Sequence, residues 1–101
     1  MSFTDLGLQP FLTDRCESLG YIEPTPIQKQ AIPLVLDGKN VIATAETGTG
    51  KTAAFLLPIL QNLAISQKKG TTVLILSPTR ELANQTDAAC RQIAPKNVRC
   101  A

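Results

Sequence analysis

Apolar positions along the chain come in short blocks whose spacing changes from one block to the next. Phe11, Leu12, Cys16 and Leu19 fall on one face of a helix opened by Pro10, and Gly20 follows where a left-handed C-cap is needed. A second helix is predicted from Pro26, with Thr25 as N-cap, ended or kinked by Pro33 before the Asp37-Gly38 turn. Residues 41–45 read as a short buried strand. From Lys51 to about Ser66 the chain is apolar nearly all round, the pattern of a buried helix bent at Pro58. After a polar loop, residues 72–76 form a β-branched and leucine-rich run with no polar face, as in a strand covered on both sides. Leu82, Ala83, Thr86, Ala89, Cys90 and Ile93 then share a helical stripe, Asp87 and Arg91 pair at i,i+4 elsewhere on that surface, and Pro95 closes the helix. Residues 98–101 read as the opening of a third strand.

This alternation predicts an α/β fold, a parallel sheet with flanking helices joined by right-handed crossovers. Such sheets carry more than two and a half strands, so the expectation is the first half of a domain. At 101 residues the chain is one domain at most. Its 44% hydrophobic and 18% charged residues are those of a globular protein, outside the disordered regime.

Charge and cysteine usage narrow the chemistry. A net charge of +2 carries no nucleic-acid argument by itself, and no basic run exceeds Lys68-Lys69. Cys16, Cys90 and Cys100 lie far apart without a C-x-x-C pair, which fits buried or free thiols better than a disulfide framework. The absence of histidine removes Ser-His and Cys-His catalysis and argues against structural zinc. The N-terminus lacks the basic and apolar regions of a signal peptide, and the longest apolar run, residues 53–60, is broken by Pro58. That run is far below the roughly 20 residues that span a bilayer. The expectation is a cytoplasmic protein with no membrane partner.

The chemistry-bearing stretch is AETGTGKT, residues 45–52, between the first apolar run and the apolar helix. Gly48 and Gly50 allow a tight turn with inward NH groups, Lys51 reaches β- and γ-phosphates, and the Thr52 hydroxyl is placed for Mg²⁺. The strict pattern opens with Gly, and Ala45 stands in its place as a small substitute. A Gly-rich turn ending in a solvated lysine would give the same letters.

A second stretch, GYIEPTPIQ at residues 20–28, with Phe3 seventeen positions ahead of Gly20, raises the specificity. Together with AETGTGKT and PTRELA at 78–83, it resembles the Q motif, motif I and motif Ia of the DEAD-box ATP-dependent RNA helicases, in that family's order and over essentially the whole chain. The resemblance implies an incomplete RecA-like P-loop domain over residues 1–101, with ATP and Mg²⁺ as cofactors. Its Q-motif region would be residues 3–28, its phosphate loop 45–52 and its motif Ia 78–83.

The family's roles carry over onto matching positions. Gln28 would accept from adenine N6 and donate to N7, a complementarity that guanine O6 breaks. Tyr21 would pack on the base, Thr25 support Gln28 and the loop, and Phe3 close the pocket. Ala45, Glu46, Thr47, Gly48, Thr49, Gly50, Lys51 and Thr52 would cradle the phosphates. Lys51 and Thr52 would act in catalysis, Thr52 as metal ligand. Pro78, Thr79, Arg80 and Glu81 would hold an RNA backbone phosphate without reading sequence. Taken alone, Phe3 and Tyr21 also read as core aromatics, Thr25 and Thr79 as N-caps, and Arg80 and Glu81 as solvated charges.

Hydrolysis further requires a carboxylate at the end of a neighbouring strand to orient water and hold the metal. None of the eight acidic residues ends an apolar strand outside the loop. The expected activity therefore belongs to a longer parent enzyme, with this span binding nucleotide at most. Two other readings stay open: a non-catalytic module that self-associates through an unfinished sheet edge, and a P-loop ATPase or kinase of another family.

Overall fold

The computed structural model describes residues 2–44, 50–66, 70 and 72–100. A 3-10 turn, Thr4–Leu6, folds the N-terminus back and ends at Gly7 with φ +102°. The Ser2 N–H donates to the Asp5 carboxylate at 2.8 Å. That bond, with help from the Ser2 hydroxyl, holds the Asp5 carboxyl below its ordinary value.

Four helices follow: α1 (Pro10–Ser18), α2 (Pro26–Leu36), α3 (Lys51–Ser66) and α4 (Arg80–Ile93). Helix α1 opens on Pro10 and closes as expected on Gly20, whose φ is +87°. Gly20 N–H donates to Glu17 O at 3.1 Å and Tyr21 N–H to Cys16 O at 2.8 Å, the paired bonds of a Schellman motif. The backbone of Tyr21 is thereby fastened to the end of α1. Helix α2 starts at Pro26 behind Thr25 and runs on through Pro33, where the sequence allows an end or a kink, so it does not end there. Pro33 is exposed, so losing its N–H costs one internal bond without forcing its ring into the core. Helix α3 likewise continues through Pro58.

The core is gathered around α3. Leu56, Leu57 and Leu60 pack with Leu12 and Cys16 of α1, Ile32 of α2, Ile93 of α4, and Phe3, Leu6 and Leu8 of the N-terminal segment. Each such side chain contributes roughly 1.5–3 kcal/mol by leaving water. Burial drives Cys16 to form no ion readily, its thiol being pushed up to about 11 by desolvation. Helix α4 departs from its predicted stripe. Only Ile93 is buried, Leu82 and Ala83 are exposed, and Thr86, Ala89 and Cys90 are half-buried. The exposed pair of Asp87 and Arg91 forms at 2.9 Å.

Among the described residues no strand forms, so they do not bear out the predicted parallel sheet. Residues 41–44 and 72–77 are irregular, Ile42 is fully exposed, and Leu74 and Leu76 are 77% and 84% exposed. An apolar run supplies strand propensity, but a parallel strand exists only when neighbours complete its ladder and both faces are covered. Nor does a strand open over the described residues 98–100. Residues 98–100 follow a turn in which Val98 N–H donates to Pro95 O at 3.1 Å. That turn carries the chain back to α4, where Arg91 Nη2 donates to Cys100 O at 3.2 Å. Cys90 and Cys100 are consequently joined in a disulfide with Cα atoms 6.8 Å apart, against the expectation of free thiols, and Cys16 remains free and buried.

Candidate nucleotide site

The N-terminus of α3 is where the predicted phosphate loop ends. Gly50 has φ +83°, and its carbonyl accepts from Ala54 N–H at 3.0 Å to begin the helix. The same carbonyl accepts from Gln28 Nε2 at 3.2 Å. Gln28 is only 3% exposed, and its Oε1 accepts from the Thr25 N–H at 2.9 Å, half of a capping box at the start of α2. An amide held by a donor on its oxygen and an acceptor on its nitrogen has one orientation. Each end keeps capacity for one more partner, a lone pair on Oε1 and a hydrogen on Nε2.

A Cβ at Gly50 would overlap Gln28 Nε2 and stand 3.3 Å from Thr25 Oγ1, so the three residues form a contact only glycine permits. The Thr25 hydroxyl is buried with no hydrogen-bond partner. Buried hydroxyls are normally bonded, so this one keeps both donor and acceptor capacity among the described residues.

Beside this contact lies a cleft of about 530 Å³ lined by Gly20, Tyr21, Ile22, Glu23, Thr25, Gln28 and Gly50. That volume falls within the range of small-ligand sites. Tyr21, Thr25, Gln28 and Gly50, all named from the sequence, thus line one cleft together with Ile22 and Glu23. Phe3 is not among the lining residues and packs in the core cluster. Lys51 is exposed and Thr52 half-buried at the first turn of α3, which has no acidic side chain. The N–H groups of a helix start and the helix dipole favour an anion there. Ala45, Glu46, Thr47, Gly48 and Thr49 lie outside the described residues.

The predicted RNA residues sit elsewhere, at the start of α4. Pro78, Thr79, Arg80 and Glu81 are all exposed, and Thr79 Oγ1 accepts from Leu82 N–H at 3.2 Å as an N-cap. Arg80 and Glu81 open a shallow groove that continues along Asn84, Gln85 and Ala88. Asn84 and Gln85 are not picked out by the sequence reading, although Asn84 lies at i+3 from Glu81 and i+4 from Arg80 and Gln85 at i+4 from Glu81, on the same face. No group of acidic, cysteine or histidine side chains suited to a metal occurs among the described residues, and no helix there is long and apolar enough to cross a membrane.

Comparison with known proteins bears on both places. The chain is 52% identical over 101 residues to the ATP-dependent rRNA helicase RRP3 of Ajellomyces capsulatus, covering 99% of this chain and 21% of that protein. It is 50% identical over 88 residues to the ATP-dependent RNA helicase DeaD of Buchnera aphidicola, covering 87% of this chain and 14% of that protein. An RNA helicase of Chaetomium thermophilum solved bound to ADP superposes with TM-score 0.83 at 44% identity, over 91% of this chain and 23% of the other. A DEAD box protein from Methanococcus jannaschii gives TM-score 0.86 at 35% identity, over 95% and 26%. The chain spans about a fifth of the length of the curated relatives it matches. The DEAD/DEAH box helicase family model matches residues 25–101, across α2, α3 and α4, and the chain belongs to that family.

Proposed function

We propose that the chain is the ATP-binding portion of an ATP-dependent RNA helicase that couples ATP binding and hydrolysis to separation of RNA strands. Residues 3–28 supply its adenine side, 45–52 its phosphate loop and 78–83 an RNA-backbone contact. The observation that carries this reading is the Gln28 bridge to Gly50, which sets a purine-reading amide directly against the end of the phosphate loop.

The residues fit the nucleotide. Thr25 N–H and Gly50 C=O fix the Gln28 amide so that its free lone pair and hydrogen match adenine N6 and N7. Tyr21 offers a face for the base, and the orphan Thr25 hydroxyl offers a bond toward the loop. Lys51 and the N–H groups of α3 attract the phosphates, and Thr52 is the chain's ligand for Mg²⁺. When bound, that ion neutralises phosphate charge. Arg80 and the capped start of α4 hold a phosphate of the RNA strand. Turnover belongs to the longer parent protein, because it requires a strand-end carboxylate that these 101 residues do not supply.

Isothermal titration of ATP and GTP with Mg²⁺ on this chain tests the reading. ATP should bind at least roughly tenfold more tightly than GTP, and Gln28→Ala should erase the difference. Equal binding of the two nucleotides by the unmodified chain overturns the adenine assignment.

A second reading, self-association, is favoured by the exposure of Ile42, Leu74 and Leu76. Apolar segments without ladder partners recruit other chains. Sedimentation velocity should show concentration-dependent association that Leu76→Lys suppresses, and a monomer at every concentration sinks it.

A further inference from the structure

Among the described residues the buried polar side chains are two glutamines, Gln28 and Gln61, and both are tied to α3. Gln28 bonds to Gly50 at its head. Gln61 lies ten residues beyond Lys51, about 15 Å along the helix at 1.5 Å per residue. It is 6% exposed, on the same helix as Leu56, Leu57 and Leu60 of the apolar cluster, and a hydrocarbon at that place would bury at less cost.

Its amide is fully directed. Gln61 Oε1 accepts from the Gln9 N–H at 2.7 Å, and Gln61 Nε2 donates to Gly7 O at 3.0 Å. Both partners belong to the three residues that lead into α1, and Gly7 at φ +102° presents its carbonyl from a conformation other residues rarely adopt. Gln9 is the N-cap of α1, so the bond sits at the base of that helix. At the other end, the Schellman bonds lock Tyr21 to α1, and Tyr21 is one wall of the cleft. Burial of Leu12 and Cys16 holds α1 against the core, but apolar contact is non-directional and leaves sliding and rotation cheap. Hydrogen bonds with short distances do not.

We propose that Gln61 is a positioning residue for the adenine side of the site: by gripping Gly7 and Gln9 it ties the start of α1 to α3, and through α1 it sets the place of Tyr21. The cleft then hangs between two glutamine bridges to one helix, Gln28 at α2 and Gln61 at α1, so its wall and the phosphate end move as one body. The inference deepens the ATP-binding reading and rests on it for its ligand, but its geometric content concerns Tyr21 alone.

The chain has one tyrosine and no tryptophan, so its intrinsic fluorescence reports Tyr21. Acrylamide quenching is measured on the unmodified chain, on Gln61→Met, which removes both bonds at similar length, and on Gln9→Pro, which removes only the N–H. Proline suits position 9, where φ is −81°. Leu60→Ala, a cavity on the same helix, is the control for general destabilisation. All are read at a temperature where far-ultraviolet circular dichroism reports a folded chain. The quenching constant should rise roughly twofold in Gln61→Met and Gln9→Pro and stay unchanged in Leu60→Ala. ADP affinity should fall about tenfold in the first two while affinity for inorganic pyrophosphate holds. Quenching unmoved in both hook variants, or raised equally in Leu60→Ala, overturns the proposal. If Gln61→Met does not fold, Gln9→Pro decides alone. If the unmodified chain binds no ADP while Tyr21 responds as stated, the positioning role stands and the ATP-binding reading falls.

Discussion

Gln28 Nε2 donates to the carbonyl of Gly50 at 3.2 Å, across twenty-two residues, and so ties the start of α2 to the start of α3. The carbonyl that begins α3 is the one that orients the Gln28 amide, which we propose reads adenine. Changes on either side of this bond should therefore be felt on both.

Gly50→Ala places a methyl where Gln28 Nε2 already lies and forces a side chain into φ +83°. The conformation alone costs about 1–2 kcal/mol. Displacing Gln28 also exposes the capping bond to Thr25. Urea unfolding should show at least that loss, and titration should show nucleotide affinity falling by more than roughly tenfold. A variant with unchanged ATP affinity would mean that the bridge is incidental to the site.

Thr25→Val separates folding from binding. Among the described residues the Thr25 hydroxyl has no partner at hydrogen-bond geometry, and the firm bond of the capping box at α2 runs from the Thr25 N–H to Gln28. Replacing an unsatisfied buried hydroxyl with a methyl is nearly neutral or stabilising, so the urea midpoint should hold or rise, within about 0.5 kcal/mol. Nucleotide affinity should drop several-fold because the loop and ligand lose that partner. A clear loss of stability with affinity intact contradicts the assignment.

Cys16 supplies a pH signature. Its ordinary value of 9.0 is pushed up to about 11 in the folded chain by burial. The unfolded chain thus releases this proton first. Stability from the buried thiol is fully present below pH 9 and is lost as pH rises toward 11, by at most about 1.4 kcal/mol per pH unit. Denaturant midpoints from pH 8 to 11 should fall more steeply for the unmodified chain than for Cys16→Val, which carries no titrating group there. Parallel slopes for the two proteins refute it.

Much of the site was legible in the sequence. Pro10, Gly20, Pro26 and Thr79 mark helix ends because caps obey local stereochemistry, and the structure places those ends there or within two residues. The motif GYIEPTPIQ identifies Tyr21, Thr25 and Gln28 because their spacing lays them on one turn and one helix start, and they do line one cleft with Gly50. Helix α3 was readable because an apolar surface all round admits only burial. Pro33 does not end α2, since an exposed proline within a packed helix removes one bond without forcing its ring into the core.

Determined by the sequence alone were the helices, their caps and the family, all properties of residues near one another along the chain. Tertiary structure alone decided which runs would find partners. Residues 72–76 carry strand propensity yet lie exposed, because pairing depends on neighbours that the run does not encode. The same holds for Cys90 with Cys100, for Phe3 in the core rather than the cleft, and for the Gln61 grip on Gly7 and Gln9. A polar residue in an apolar helix announces only that it needs a partner. Which backbone supplies it is fixed by how the chain returns upon itself.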